Sequence, residues 1–582
     1  MGSIVAVSLA LGAGLVAVPL LWGEFVAWQL GLFLLYGVAA QGVGLAWGRG
    51  GFLPLGNALF FGVAAYGAAM ALKASGGTLA LDLLSMLGIA LALAALAWGL
   101  AALLFHGRTD SGPFFSLITL ALVLIVAQLA ETTPAVTGGF NGYSGFAPIG
   151  GLDPFGDLYY AIVALVVASS FALMMLERLP AGLVLRALVA QEGRLQLLGF
   201  ATNRVKAWAF AGAAFLTALA GALYASHQGI VTPQATGFVF SAELVIWAAV
   251  GGRLHPLGPL FGAVAIGFLG AELRDTWPWW EVVVALLFLA VVLAAPGGAA
   301  ELLARASARL GWRRRPAKAA PIPAPPARGL AAPGALRLEG VFLRAGEVRI
   351  LDGLEVACPQ EGALCVIGPN GAGKTTMLKA VTGAMPVQEG RVLLGARDIT
   401  NIAPHRALAL GIGRKMQIPT IFAGLSVTEN LQLAALAGRA QAADFLRPAT
   451  LGWQAPDLVR LLAHPSVPLA GLGAQDAGAL PQGHRQMLEL ALTLGPGPRI
   501  VLLDEPTAGM SPEETALMVE LIRDYQQATG AFVLVIEHDM ALVAALDAGV
   551  LVLHQGRRLA QGTLAEMRAA PAVAAVYAGG AK

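Results

Sequence analysis

The first 295 residues form a succession of apolar runs, and these runs constrain the fold more than any other feature of the chain. Each run is close to the roughly 20 residues that a helix needs to cross the hydrocarbon core of a membrane. The chain is only 12% charged, whereas soluble domains average about 25% charged residues. Separated by their polar breaks, the runs are Ile4–Leu21, Phe25–Ala46, Phe52–Leu72, Leu79–Phe105, Phe114–Ala130, Leu158–Leu176, Ala207–Ser226, Phe238–Val250, Pro259–Ala271 and Pro278–Ala295. The sequence therefore predicts an all-α membrane domain of about ten spans over residues 1–311.

Basic residues between the spans predict the orientation of this domain. The stretch 131–157 has no Lys or Arg, whereas the loop after Leu176 carries Arg178, Arg186, Arg194, Arg204 and Lys206. Because short cytoplasmic loops are enriched in basic residues, we expect both ends of the membrane domain to lie in the cytoplasm. Lys73 and Arg274 do not follow this pattern. The first run has no basic leader and no clear cleavage site, so it is interpreted as a span and not as a removed signal peptide.

A few polar side chains occur inside the predicted spans, at Gln41, Asn57, Gln128 and Glu243. Hydrogen bonding between helices is the favoured interpretation for Gln41, Gln128 and Glu243. Asn57 lies in a stretch rich in small residues, where two interpretations stay open. It either lines the path of a transported solute or bonds a neighbouring helix.

Composition excludes some functions and marks a boundary. The net charge of +2 gives no indication of nucleic-acid binding. The two cysteines, Cys358 and Cys365, have no ligand-spaced neighbours and are interpreted as small buried apolar residues. Within residues 312–334 a basic run is followed by Pro321, Pro323, Pro325 and Pro326, which predicts a semi-rigid linker. Residues 335–582 then alternate short strands and helices, the pattern of an α/β domain.

A phosphate-binding loop stands near the start of this second domain. A short apolar run ends at Ile367, a helical pattern begins at Met377, and the intervening residues have the G-x-x-x-x-G-K-[ST] spacing. Lys374 would contact the β- and γ-phosphates of ATP, and Thr375 would ligate Mg²⁺. The predicted ATP-binding residues are Gly368, Pro369, Asn370, Gly371, Ala372, Gly373, Lys374, Thr375 and Thr376.

Two carboxylates follow another apolar run, at Asp504 and Glu505. Ligands of α/β sheets collect at the carboxyl ends of the strands, so these side chains are expected near the phosphate loop. Asp504 is predicted to hold Mg²⁺, and Glu505 to polarise the attacking water. His538, which also follows an apolar run, is predicted to bond the γ-phosphate. Gln417 is predicted to contact both Mg²⁺ and the nucleophilic water.

An inner loop at residues 179–205 has an amphipathic pattern and several arginines. It either lies flat on the membrane surface or docks on a cytoplasmic domain. A predicted ATP-binding domain on the same side favours docking, which would make the loop a coupling element.

The order of these motifs resembles the nucleotide-binding domain of ABC transporters, over residues 336–577. The segments 411–417, 421–422 and 425–431 are similar to the branched-chain amino acid and urea group of ABC importers. In the membrane domain, 56–66, 137–142 and 246–253 resemble the permeases of that group. The resemblance implies a multi-pass protein of the bacterial inner membrane with a cytoplasmic ATPase. The Arg414–Lys415 pair, the run 483–489 and Ile246–Trp247 favour urea or a short-chain amide as the solute, and a branched-chain amino acid is the alternative.

Two residues depart from the family pattern. The family's signature motif, whose serine clamps the ATP bound to the opposite domain, corresponds here to Leu480, Pro481, Gln482, Gly483 and His484. Pro481 replaces the serine and removes a backbone donor. The aromatic residue that stacks on adenine aligns with Ala345, and Phe342 lies on the opposite face of the predicted strand.

The resemblance also implies partners: a second permease, a second ATPase or another copy of this chain, and an external solute-binding protein. An exporter half-transporter also fuses permease to ATPase in this order. Exporters usually have six long helices that extend into the cytoplasm, and the roughly ten short spans here argue against that alternative.

Overall fold

A computed structural model describes residues 2–106, 112–295, 297–309, 334–438, 442–446 and 455–578. Of these, residues 2–189 and 203–309 pack as one unit, and residues 190–202 and 334–578 pack as the other. We call them the membrane unit and the ATPase unit. Residues 312–333 of the predicted linker lie outside the described residues, so the domain boundary remains a prediction.

Helices build nearly all of the membrane unit, with a π-helical segment at Leu45–Arg49 and three 3₁₀ turns at Gly139–Asn141, Ile149–Gly151 and Pro233–Thr236. Two very short strands, β1 (Tyr143–Ser144) and β2 (Ile230–Val231), pair antiparallel. The helices up to residue 309, of which α10 belongs to the ATPase unit, are α1 (Gly2–Val16), α2 (Val18–Trp22), α3 (Glu24–Gly44), α4 (Asn57–Ser75), α5 (Leu79–Leu104), α6 (Gly112–Thr132), α7 (Pro134–Thr137), α8 (Asp157–Leu176), α9 (Pro180–Ala190), α10 (Glu192–Leu197), α11 (Thr202–Gln228), α12 (Phe238–Gly251), α13 (Gly258–Thr276), α14 (Trp280–Ala294) and α15 (Gly298–Arg309).

Every predicted apolar run falls on a helix of this unit. Within the described residues, seven helical segments are long and apolar enough to cross a membrane. They are Gly2–Trp22, Glu24–Arg49, Asn57–Ser75, Leu79–Leu104, Pro113–Thr132, Asp157–Leu176 and Thr202–Gln228. The last three predicted runs correspond to α12, α13 and α14, and a non-helical turn joins α12 to α13. The predicted polytopic helical architecture is confirmed.

Small residues bring the helix backbones of this unit into direct contact. A Cβ atom on Gly42 of α3 would lie 2.6 Å from the carbonyl oxygen of Ala213 in α11. A Cβ on Gly221 of α11 would overlap the carbonyl oxygen of Phe61 in α4. Lipid tails are as apolar as these helices, so the hydrophobic effect does not drive the helices together inside a membrane. Close van der Waals packing of this kind stabilises their association instead.

We expect Gly221→Leu to disrupt the membrane unit. The new side chain would collide with the α4 backbone, which cannot rotate away as a side chain could. The free energy of unfolding should therefore fall by at least the upper end of the about 1–3 kcal/mol range that is typical of overpacking. Gly88→Leu on α5 is the matched control, because a Cβ there meets nothing within 4 Å. The melting temperature of the purified chain in detergent measures both changes. Equal stability of the two variants would contradict the assigned helix contact.

Polar side chains inside the membrane unit join helices. Gln41 donates to Ser170 Oγ and to the Pro256 carbonyl, each at 3.0 Å, and accepts from Ser169 Oγ at 2.9 Å. These contacts agree with the interhelical interpretation. Asn57 is fully buried and its Nδ2 donates to Thr217 Oγ1 at 3.3 Å, whereas its Oδ1 has no hydrogen-bond partner among the described residues. Gln128 lies on an exposed face of α6, so the structure does not place it between helices.

The ATPase unit contains two sheets. Its remaining elements are β3 (Leu336–Ala345), β4 (Val348–Ala357), β5 (Gly362–Ile367), α16 (Lys374–Val381), β6 (Glu389–Leu394), β7 (Arg397–Asp398), α17 (Pro404–Ala407), β8 (Ile412–Lys415), α18 (Val427–Leu436), α19 (Pro456–Ala463), α20 (Gln482–Leu494), β9 (Ile500–Asp504), α21 (Pro512–Thr529), β10 (Phe532–Ile536), α22 (Met540–Ala545), β11 (Gly549–His554), β12 (Arg557–Gly562), α23 (Leu564–Ala569) and α24 (Pro571–Ala578). Four 3₁₀ turns, Leu408–Leu410, Ala442–Leu446, Pro468–Ala470 and Ala477–Ala479, complete the described elements.

Strand order explains why distant motifs meet. The larger sheet has the order β12-β11-β5-β10-β9-β8, and all of its strands are parallel except β12. β5, β9 and β10 are apolar and almost entirely buried, as expected for central parallel strands. The second sheet, β4-β3-β6-β7, is antiparallel. β5, β10, β9 and β8 are consecutive neighbours, so the segments that follow them lie along one edge.

Both cysteines behave as predicted. Cys358 and Cys365 are buried and unpaired, and burial raises the pKa of each thiol to about 12. They contribute apolar contacts to the ATPase unit.

Candidate ATP site

The phosphate loop joins β5 to α16, as the sequence predicts. Gly368, Gly371 and Gly373 have φ angles of 151°, 81° and 97°. A side chain at Gly373 would also press against Leu351 Cδ2 at 2.8 Å. Only glycine adopts these conformations readily, and the resulting loop turns its backbone amides toward an anion.

Lys374 begins α16 and is held inside the loop. Its Nζ donates to the carbonyl oxygens of Gly368 at 2.7 Å and Pro369 at 3.1 Å. Burial lowers the pKa of Lys374, and the nearby Glu505 and Asp504 carboxylates oppose that change. The ammonium is therefore held beside the N-terminus of α16, where a phosphate would be bound.

Thr375 and Asp504 lie together at the edge of the sheet. Thr375 Oγ1 donates to Asp504 Oδ1 at 3.3 Å. Burial raises the pKa of Asp504, and Arg414 counteracts this effect. Among the described residues, no group of three or more His, Cys, Asp or Glu could hold a metal ion. A hydroxyl and one carboxylate nevertheless suit Mg²⁺, which takes most of its remaining ligands from water and nucleotide phosphates.

Two other predicted site residues, Gln417 and His538, contact Glu505. Gln417 Nε2 donates to Glu505 Oε2 at 2.8 Å, and His538 Nε2 lies 3.1 Å from Glu505 Oε1. The backbone of Glu505 has a φ of 44°, which is uncommon for a residue other than glycine. Strain of this kind is concentrated at functional sites, where surrounding contacts maintain it. The structure thus places Gln417 against Glu505, beside the Thr375–Asp504 pair.

The predicted signature segment opens α20. Pro481 is exposed and occupies the N-cap position of this helix, where it makes no side-chain hydrogen bond. Gln482 is also exposed, whereas Gly483 is buried against Glu514. Arg485 fastens the preceding turn by donating to the carbonyl oxygens of Leu480 at 2.7 Å and Gly478 at 3.0 Å.

Phe342 lies in a cleft that includes no described residue of the phosphate loop. The cleft has a volume of about 330 Å³ and is also lined by Asp352, Gly353, Glu355, Arg557 and Arg558. Ala345 is exposed at the end of β3 and pairs with Val348.

Comparison with known proteins decides the family. The profile described as "Branched-chain amino acid transport system / permease component" matches residues 26–293, and the ABC transporter profile matches residues 351–508. The high-affinity branched-chain amino acid transport ATP-binding protein BraF of Pseudomonas aeruginosa is 32% identical over 254 residues. That match covers 42% of this chain and 97% of BraF. The chain belongs to the ABC transporter family.

Other relatives of this ABC transporter match the same part of the chain. LivG of Salmonella typhimurium, a protein with the same description as BraF, is 31% identical over 260 residues, covering 42% of this chain and 97% of LivG. A solved nucleotide-free ATP-binding cassette from an ABC transporter shares 25% identity with a TM-score of 0.36, covering 42% of this chain and 98% of its own. This chain is an ABC importer with fused permease and ATPase, and it is an ATP hydrolase coupled to transport.

Sequence reasoning missed a buried cluster of charged residues in the ATPase unit of this ABC transporter. Arg194, Arg414, Lys415, Glu489 and Asp504 are all at most 3% exposed. Of these, only Asp504 was predicted to act at the site. Glu489 stands within the otherwise apolar stretch 487–492 of α20. A charged residue flanked on both sides by apolar ones was the signal that could have drawn attention to it.

Proposed function

We propose that this chain is the permease–ATPase subunit of a bacterial inner-membrane importer, and that Glu505 activates the water that hydrolyses ATP. The convergence of Gln417 and His538 on a strained Glu505 supports this assignment most directly. A carboxylate held by two polar groups is oriented toward one point, as a general base must be.

The other site residues have complementary proposed roles. Lys374 and the loop amides bind and orient the phosphates, and Thr375 and Asp504 hold Mg²⁺ with Gln417 nearby. The metal, when bound, neutralises charge that develops on the transferred phosphoryl group. His538, which lies 3.1 Å from Glu505 Oε1, would bond the γ-phosphate. Signature residues 480–484 face the ATP of a second nucleotide-binding domain.

The inner loop is proposed to couple transport to hydrolysis. Residues 190–202 lie between two membrane spans in the sequence but pack within the ATPase unit. A Cβ atom on Gly199 would lie 3.4 Å from Leu408 Cδ2, and the ring centroids of Phe200 and Phe445 lie 6.2 Å apart in an edge-to-face arrangement. This packing favours docking over a helix lying flat on the membrane.

A branched-chain amino acid is the proposed solute. The permease description and the names of BraF and LivG favour it over urea or a short-chain amide, which three short sequence features suggest. Import would require a second permease, a second ATPase or another copy of this chain, and an external solute-binding protein. Asn57 is retained as a proposed path residue because its buried Oδ1 could bond a passing solute.

Uptake by reconstituted vesicles tests both solutes. We expect the assembled transporter to accumulate radiolabelled leucine only with internal ATP and the cognate binding protein, and urea not at all. The binding protein, titrated with leucine, urea and acetamide, should saturate with leucine alone. Urea binding and uptake without leucine uptake would reverse the solute assignment, and ATP-dependent efflux would contradict import itself.

A further inference from the structure

Glu489 binds both ends of the segment that carries Gln417. Its Oε1 accepts the backbone N–H of Met416 at 3.1 Å and the hydroxyl of Thr420 at 3.0 Å. Met416 precedes Gln417 directly, and Thr420 follows three residues later. One carboxylate oxygen of Glu489 thus anchors the short segment 416–420, in which the side-chain amide of Gln417 contacts Glu505.

The Glu489 carboxylate is itself surrounded by cations. Lys415 Nζ lies 3.5 Å from Oε2, and Arg194 Nη1 lies 3.8 Å from Oε1. Glu489 and Lys415 are fully buried, and Arg194 is 2% exposed. An ionised carboxylate in such surroundings depends on its counter-ions, because water cannot solvate it.

Arg194 comes from the inner loop. Besides its pairing with Glu489, it donates to the Arg414 carbonyl at 2.6 Å and to Thr493 Oγ1 at 2.9 Å. These bonds orient its guanidinium between β8 and α20, and its charge is the inner loop's contribution to the cluster. Arg414, in turn, lies 3.9 Å from Asp504.

We propose that Glu489 is a positioning residue for ATP hydrolysis, which holds the Gln417 segment against Glu505 and is itself held in place by its ion pair with Arg194 of the inner loop. This inference rests on the proposed role of Glu505. It adds a specific electrostatic contact by which a segment between two membrane spans acts on the water-activating carboxylate. Arg194 and Glu489 are buried beside the Gln417 segment and act through Gln417.

The position of the contacts predicts which kinetic constant changes. Glu489→Gln removes the negative charge, so the bonds from Met416 and Thr420 become neutral ones, which are roughly half as strong as charge-assisted bonds. It leaves the phosphate loop untouched. We expect kcat for ATP to fall about 10- to 100-fold, the range seen when supporting residues of a site are replaced, with KM unchanged.

The experiment uses the full-length chain in nanodiscs, with the subunits that copurify with it. Steady-state hydrolysis is measured for Glu489→Gln, Arg194→Gln and the double variant. Arg460→Gln is the control, since Arg460 is an exposed residue of α19 whose guanidinium lies 3.9 Å from Asp457. Hydrogen exchange of peptides covering 412–420 should accelerate in Glu489→Gln, while exchange in β9 and β10 stays unchanged. The double variant should be no slower than Glu489→Gln, because Arg194 acts through Glu489.

Each alternative outcome overturns a defined part of the proposal. Wild-type kcat in Glu489→Gln, or faster exchange throughout the ATPase unit, would reduce Glu489 to a structural residue. If the losses of kcat in the two single variants add up in the double variant, Arg194 does not act through Glu489. Glu505→Gln is measured in parallel. If it keeps turning over, the proposed function fails, whereas its inactivity beside a fully active Glu489→Gln refutes only this inference.

Discussion

Replacing Glu505 with Gln should lower kcat for ATP hydrolysis by about 10²- to 10⁴-fold, the usual contribution of a positioned general base. The amide keeps the shape of the side chain and can still contact Gln417 and His538. It cannot accept the proton of the attacking water. Lys374 and the phosphate loop are unchanged, so nucleotide should bind and remain bound.

Phosphate release and nucleotide retention after gel filtration, both in Mg²⁺-ATP, measure this effect. Solute uptake should stop as hydrolysis does. Glu513→Gln makes the same chemical change on an exposed residue in the first turn of α21 and should hydrolyse ATP normally. Continued turnover in Glu505→Gln would show that another group activates the water.

Replacing Pro481 with Ser should raise the rate of the ATP site that this residue completes. The substitution restores a backbone N–H and a hydroxyl that the family uses to clamp a γ-phosphate. Loss of one preorganised donor can cost about 10²- to 10³-fold in rate, so the impaired site should recover by up to that factor. Serine at the N-cap of α20 should also stabilise the helix by about 1 kcal/mol.

Pro481→Ala separates the two restored groups, because it supplies the N–H without the hydroxyl. The measurement is hydrolysis and uptake by the assembled transporter, together with its melting temperature. The asymmetry hypothesis predicts that the Ser variant is faster than the Ala variant, and the Ala variant faster than the parent chain. A raised melting temperature with unchanged hydrolysis and uptake would disprove it, since the cap would have formed without any catalytic gain.

The site residues within single motifs could be predicted from the sequence, whereas the contacts between residues that are distant in the sequence could not. The loop 368–376 and the Asp504–Glu505 pair follow from local chemistry, since glycine spacing and a strand-terminal carboxylate need no tertiary information. Gln417 and His538 were predicted from their order along the chain. Their meeting at Glu505 depends on β8, β9 and β10 being neighbours in one sheet.

The polar residues of the membrane unit show the same limit. Hydrophobicity indicated that Gln41 needs a hydrogen-bonding partner. It could not indicate Ser169, Ser170 and Pro256, which are at least 128 positions away. For Asn57 the structure adds a bond to Thr217, and within the described part of the chain its Oδ1 has no partner, so both interpretations of its role remain testable.

By itself, the sequence determined that the chain has a membrane domain, from its apolar runs, and a water-exposed domain, from its α/β pattern. It also determined that the second domain contains a phosphate-binding loop. These properties depend on neighbouring residues in the chain, so they can be recognised locally. Only the tertiary structure decided that Arg194 lies against Glu489, 295 positions later. A buried charge is stabilised by whichever opposite charge the fold brings within a few ångströms, and that distance is set by the packing of helices and strands.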